Sequence, residues 1–121
     1  MGNIAHGTHL LLDCWGIAAD VLTDGVRLRE MLLRAAKAGR CTVVAEKFHR
    51  FSPVGITGVL VLAESHLSIH TWPEDGYCAI DAFTCGENTD MSALETSLLN
   101  DLKVSRFQRE MRERGLTHTP P

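Results

Sequence analysis

Apolar positions along this chain change period several times, and each change marks an element. Residues 8–15 contain the run Leu10-Leu11-Leu12 followed by Cys14 and Trp15, which reads as a first strand. Thr23 or Asp24 can then cap a helix in which Leu28, Met31, Leu32, Ala35 and Ala36 recur at the spacing of one helical face, with Gly39 placed to end it. Residues 41–51, with β-branched Thr42, Val43 and Val44, predict a second strand. Pro53, Gly55 and Gly58 punctuate the loop that follows. Residues 58–63 and 67–72 read as a hairpin with Glu64-Ser65-His66 at its turn. Pro73-Glu74-Asp75-Gly76 signals another turn, and residues 77–84 a further strand. Asn88, Thr89 or Asp90 can cap a second helix with Met91, Leu94, Leu98 and Leu102 on one face, and a last strand is expected from 103 to about 111.

The order β-α-β-β-β-β-α-β, with tight turns between consecutive strands, favours antiparallel pairing. Each amphipathic helix must bury one stripe against the sheet. The economical fold is an α+β, two-layer sandwich: a mostly antiparallel sheet with two helices packed on one face. The other face is then solvated or used to make a dimer. A single domain over 1–116 is expected, with a disordered tail at 117–121.

Composition narrows the class. The 121 residues are 45% hydrophobic and 22% charged with a net charge of −3, ordinary for a soluble domain and without the basic excess that nucleic acid or an anionic membrane would require. No apolar stretch approaches the ~20 residues of a membrane span. The N-terminal residues lack the basic lead and apolar core of a signal peptide, and the Ser or Thr of a myristoylation signal. A cytoplasmic protein is the expectation. Cys14, Cys41, Cys78 and Cys85 form no C-x-x-C pair, so a zinc ribbon or thioredoxin-like site has little support, and reduced thiols are expected.

One stretch breaks the apolar pattern. In "VLAESHLSIHTWPE" (61–74) a strand-like run leads into an acid, a serine and two histidines. Ser65 and His66 are compatible with a nucleophile and its base, yet no Gly-x-Ser-x-Gly elbow surrounds the serine. His66 and His70, with Cys78, Asp81 or Cys85, supply metal-ligand chemistry. On a strand, however, two histidines four residues apart lie ~13 Å from each other, too far for one ion. Plain turn and sheet roles for these residues remain open at this level.

The longer string decides among these. "AESHLSIHTWPE" with "DAFTCG" at 81–86, "GTHLLLD" near the N-terminus and "FHRFSPVGITGV" between them closely resembles the short prokaryotic S-adenosylmethionine decarboxylase proenzymes. The resemblance spans nearly the whole chain and weakens beyond Asn88. It implies autocatalytic cleavage at Glu64-Ser65. The Ser65 hydroxyl attacks the Glu64 carbonyl, the resulting ester eliminates, and the dehydroalanine left behind hydrolyses to a pyruvoyl group. That group forms a Schiff base with the substrate amine and takes up electrons as CO₂ leaves, so neither pyridoxal phosphate nor a metal is expected.

By the same resemblance His70 is the processing base and Cys85 the proton donor. Thr57 stands where a serine commonly assists processing, a departure that keeps the hydroxyl but adds a methyl group. Phe51 is implied against the adenine, Glu74 on the ribose hydroxyls, and Asp13 near the cationic substrate. The resemblance further implies a homodimer with sites at the interface, Ser65, His70, Phe51 and Glu74 coming from one protomer, Cys85 and Asp13 from the other. The product would be the aminopropyl donor for spermidine synthesis. Arginine or ornithine is the alternative substrate, and a non-catalytic binding or regulatory relative the alternative class.

Overall fold

The computed structural model describes residues 6–63, 65–85 and 88–115. Strand β1 (Gly7–Trp15) leads through a single helical turn, α1 (Ala19–Leu22), into helix α2 (Gly25–Ala38). Three strands follow, β2 (Val43–Arg50), β3 (Ile56–Leu62) and β4 (Ser65–Trp72), then a 3-10 turn at Pro73–Asp75 and strand β5 (Tyr77–Thr84). Helix α3 (Met91–Leu102) and strand β6 (Arg106–Arg114) complete the described chain. The strands form one six-stranded sheet in the order β2-β3-β4-β5-β1-β6, with every neighbouring pair antiparallel. The α+β two-layer expectation is met.

The helices form where sequence signals agree. The Asp24 carboxylate accepts from the Arg27 N–H at 3.1 Å and Asp90 from the Ala93 N–H at 3.0 Å, satisfying donors that a helix start leaves unpaired. Leu28, Met31, Leu32, Ala35 and Ala36 of α2 and Leu94, Leu98 and Leu102 of α3 are buried. They meet the inward side chains of the sheet, including Leu10, Leu12, Leu60, Leu67, Ile69 and Ile80. Arg34 donates to Asp101 at 2.9 Å, tying the outer sides of the two helices together.

Several boundaries differ from the pattern-based reading. The turn before β4 is tighter than expected, because Ser65 and His66 already pair with Leu62 and Val61 as the first residues of the strand. Glu64 and the tail lie outside the described residues. The last strand starts at Arg106 rather than 103, since Lys103 adopts a left-handed conformation (φ 52°) that ends α3. Helix α1, without a side-chain cap, was not anticipated. The Leu22 carbonyl there accepts from the Thr71 hydroxyl (3.0 Å), whose oxygen in turn accepts from the Ile56 N–H (2.9 Å).

Alternation along each strand sends the remaining side chains to the opposite face. His9, Leu11, Asp13 and Trp15 of β1, with His66, Ser68, His70 and Trp72 of β4, point away from the helices, as the register of the apolar core residues requires. Among the described residues no helix covers this second face.

Candidate active site

Ser65 opens β4 and Cys85 directly follows β5. Because His66 pairs with Phe83, the antiparallel register carries Ser65 to the same end of the sheet as Cys85. Both line a cavity of about 230 Å³ with Arg40, Cys41, Thr42, Ala63, Asn88 and Thr89. The backbone around it is pinned: the Ala63 N–H donates to the Thr42 carbonyl at 2.9 Å, and the Thr89 hydroxyl to the Cys85 carbonyl at 3.3 Å. The Ser65 hydroxyl donates to the Ala63 carbonyl at 3.3 Å. Burial pushes the Cys41 thiol above its usual range, which favours its protonated form.

His70 lies elsewhere. Five residues, an odd number, separate it from Ser65, so the two side chains leave β4 on opposite faces and about 16 Å apart along the strand. Thr57 faces His70 directly across β3–β4, and the Thr57 Oγ1–His70 Nδ1 distance is 2.9 Å. A threonine hydroxyl both donates and accepts, so it can orient either neutral tautomer of the ring. His70 and Thr57 line a second cavity, of about 320 Å³, with Phe51, Trp72 and Glu74 among its walls. Phe51 is 49% exposed and packs edge-on against His49, while Glu74 is exposed on the 3-10 turn. The cavity thus combines an aromatic surface, a carboxylate and a hydroxyl-held imidazole.

Within one chain the arrangement differs from the grouping that the resemblance implies for a dimer. Ser65 goes with Cys85, while His70 goes with Thr57, Phe51 and Glu74, at the other end of the sheet. Asp13 belongs to neither cavity. It sits on the open face of β1, where its Oδ1 accepts from the Tyr77 hydroxyl at 2.5 Å. Burial first, and that carboxylate second, push the Tyr77 phenol up to about 12. Tyr77 continues an aromatic row formed by Trp15 (5.5 Å between centroids) and Trp72 (5.3 Å).

Three residues escaped the sequence reading: Arg40, Trp72 and Tyr77. Arg40, in the left-handed region at φ 61°, follows the helix-ending Gly39, a pairing that marks an abrupt turn but says nothing of a cavity. Among the described residues no group of three or more His, Cys, Asp or Glu side chains is placed to hold a metal ion.

A two-layer antiparallel fold with a serine and a thiol in one cavity and a supported histidine in another defines a recognisable class. It superposes on a crystal structure of the adenosylmethionine decarboxylase from Aquifex aeolicus with a TM-score of 0.87, at 33% identity and covering 97% of each chain. The family model for S-adenosylmethionine decarboxylase matches residues 8–115. The chain belongs to that family. Among curated relatives, the S-adenosylmethionine decarboxylase proenzyme of Pyrococcus horikoshii is 42% identical over 126 aligned positions, covering 98% of this chain and 89% of the relative. The proenzyme of Methanococcus vannielii is 46% identical over 102 positions, covering 84% of each.

Proposed function

We propose that this chain is a self-processing S-adenosylmethionine decarboxylase whose working unit is a homodimer, each site being assembled from both copies. The observation that carries the reading is the cavity in which Ser65 and Cys85 meet. Ser65 is the cleavage nucleophile: its oxygen attacks the Glu64 carbonyl, the C–N bond breaks, and an ester forms with the Ser65 amine released. Removal of the Ser65 α-proton expels the Glu64 carboxylate, and hydrolysis of the enamine releases ammonia and leaves the pyruvoyl ketone. Ser65 at the mouth of a cavity, with room beside it for an amino-acid substrate, fits that group. The ketone supplies an electrophile for the substrate amine and an electron sink for the carbon that loses CO₂. Cys85 Sγ then delivers the proton to that carbon.

His70, at the far end of its own strand, cannot serve the Ser65 of its own chain. The uncovered sheet face resolves this. Turning one copy about an axis that lies between the two facing sheets, parallel to their planes and across the strands, lays the Ser65 end of β4 over the His70 end of the other β4. Ser65 and Cys85 at the strand end of one copy then stand beside Thr57, His70, Phe51 and Glu74 of the other, and because the Ser65 side chain leaves β4 on the helix side, that His70 approaches the Ser65 backbone and α-carbon from the open face. In that setting His70 takes the Ser65 α-proton, Thr57 holds its ring, Phe51 offers a stacking surface for adenine and Glu74 accepts from the ribose hydroxyls. The curated relatives reported above carry the S-adenosylmethionine name, which favours an adenosyl substrate over arginine or ornithine. The product would feed aminopropyl transfer to spermidine in the cytoplasm.

Intact mass spectrometry of the purified protein tests the reading, before and after cyanoborohydride with S-adenosylmethionine. Fragments 1–64 and 65–121, the second lacking a free amine and gaining substrate-derived mass, are expected. Cleavage with an adduct only from arginine or ornithine would move the substrate assignment. An uncut, inactive chain would contradict the proposal.

A further inference from the structure

Arg40 holds an unfavourable backbone conformation beside the cavity in which Ser65 and Cys85 meet. The end of α2 carries the hydrogen bonds of a left-handed helix stop. The Cys41 N–H donates to the Ala36 carbonyl at 2.8 Å and the Arg40 N–H to the Lys37 carbonyl at 3.0 Å. The residue with positive φ in that motif is usually glycine, and here it is Arg40, at 61°. The neighbouring glycine stands one position earlier for a separate reason. A Cβ on Gly39 would come within 3.1 Å of the Leu94 side chain, so a small residue there lets α2 pack on α3. Arg40 therefore bears a strain that its own Cβ creates and that glycine at position 40 would relieve. Strain of this kind persists where the side chain it positions has a task.

The cavity gives that side chain one. Among the described residues Arg40 is the sole Asp, Glu, Lys or Arg on the cavity wall. Its guanidinium makes no hydrogen bond or ion pair with a described residue, whereas Arg29, Arg34 and Arg109 are each held by a carboxylate. Five N–H donors are left for a ligand or for water. What the cavity receives supplies the acceptor. An α-amino acid carries its amine and its carboxylate on one carbon, so an amine brought to the ketone at Ser65 brings the carboxylate into the same cavity. A planar guanidinium matches a carboxylate with two parallel hydrogen bonds, which fixes orientation as well as charge. The product of decarboxylation has lost that group, and the contact with it.

We infer that Arg40 is a substrate-binding residue that takes the α-carboxylate of the incoming amino acid, and that its left-handed conformation persists because it places the guanidinium at the cavity. The inference rests on the reading of this cavity proposed above. Arg40→Gly tests it, because it removes the guanidinium and the strain together. The melting temperature of the processed protein should rise by about 2–5 °C. The KM for S-adenosylmethionine should rise about tenfold with kcat within about twofold, the pattern of a contact made alike in bound substrate and transition state. The decarboxylated product lacks the carboxylate, so its dissociation constant by equilibrium dialysis should not change. Arg40→Lys keeps the charge without the fork and should fall between Arg40→Gly and wild type in KM. Cleavage at Glu64-Ser65 should keep its wild-type rate in both variants. An Arg40→Gly protein that is more stable with an unchanged KM would overturn the inference. So would equal weakening of substrate and product, since the carboxylate would then not be what Arg40 reads. Slower cleavage with an unchanged KM would assign the guanidinium to processing, and a lower melting temperature would make Arg40 a residue that holds the fold; either result also overturns the inference. A wild-type protein without decarboxylase activity would overturn the reading of the cavity itself and this inference with it.

Discussion

Thr57→Val isolates the support given to His70. The substitution keeps a β-branched side chain of similar shape, so the Thr57–His70 register of β3 and β4 should persist. What disappears is the 2.9 Å hydrogen bond between Oγ1 and Nδ1, at a partly buried site. A neutral hydrogen bond of this kind contributes about 1 kcal/mol net, because water can partly replace it. If that energy serves to hold the imidazole in the orientation that accepts the Ser65 proton, loss of about 1–1.4 kcal/mol slows maturation roughly five- to tenfold. Thr57→Ser restores the hydroxyl and should restore most of the rate. The assay follows disappearance of full-length chain after a synthesis pulse, by denaturing electrophoresis and intact mass. Valine processing at the threonine rate would remove the hydroxyl from the mechanism. Serine processing as slowly as valine would show that packing, not the hydrogen bond, is what matters.

Three further outcomes follow from the same geometry. Cys85→Ser should still cleave, since Ser65 and the Ala63–Thr42 backbone pairing are untouched, but decarboxylation should fall on the order of 10²–10⁴-fold, the usual worth of a positioned proton donor; equal loss of both activities would assign Cys85 a structural role. Tyr77 is the only tyrosine in the chain, so its ultraviolet titration is unambiguous and should show a midpoint near 12, falling towards 10 when Asp13→Asn removes the charge. Because the folded phenol holds its proton more tightly than the unfolded one, the stability it contributes is complete below about pH 10 and is lost as pH rises from about 10 to 12; a midpoint at 10 in the native protein would contradict the partly buried Tyr77–Asp13 contact.

Much of the architecture was legible because burial imposes periodicity. Leu28, Met31, Leu32, Ala35 and Ala36 had to share a helical face, and all five are buried. The start of β5 was readable from the Pro73–Gly76 turn. Short or uncapped features were not. Helix α1 is one turn held by the Thr71–Leu22 bond, a contact between residues 49 apart that no local pattern announces. The left-handed Lys103 likewise ends α3 in a conformation that side-chain identity does not favour.

The candidate site shows the same division. The residue types and their order were visible in one motif, but their distribution in space was not taken from it. The signal was present: 65 and 70 differ by an odd number, and once Ser65 was treated as strand rather than turn, opposite faces followed from the two-residue repeat. Arg40 and Tyr77 join their sites only through tertiary contacts, with a cavity wall for the first and a carboxylate on a neighbouring strand for the second.

The central claim is that a serine of one copy is processed by a histidine of another, and complementation tests it most directly. Ser65→Ala lacks the nucleophile but retains His70; His70→Ala retains Ser65 but lacks the base. Each expressed alone should remain essentially full length. Co-expressed and allowed to pair, they form heterodimers in which the Ser65 of the His70→Ala chain faces an intact His70. The account predicts that the His70→Ala chain, and only that chain, is then cut after Glu64. If the mixture stays as uncut as either variant alone while heterodimers are shown to form, the site is not shared between copies and the account is wrong.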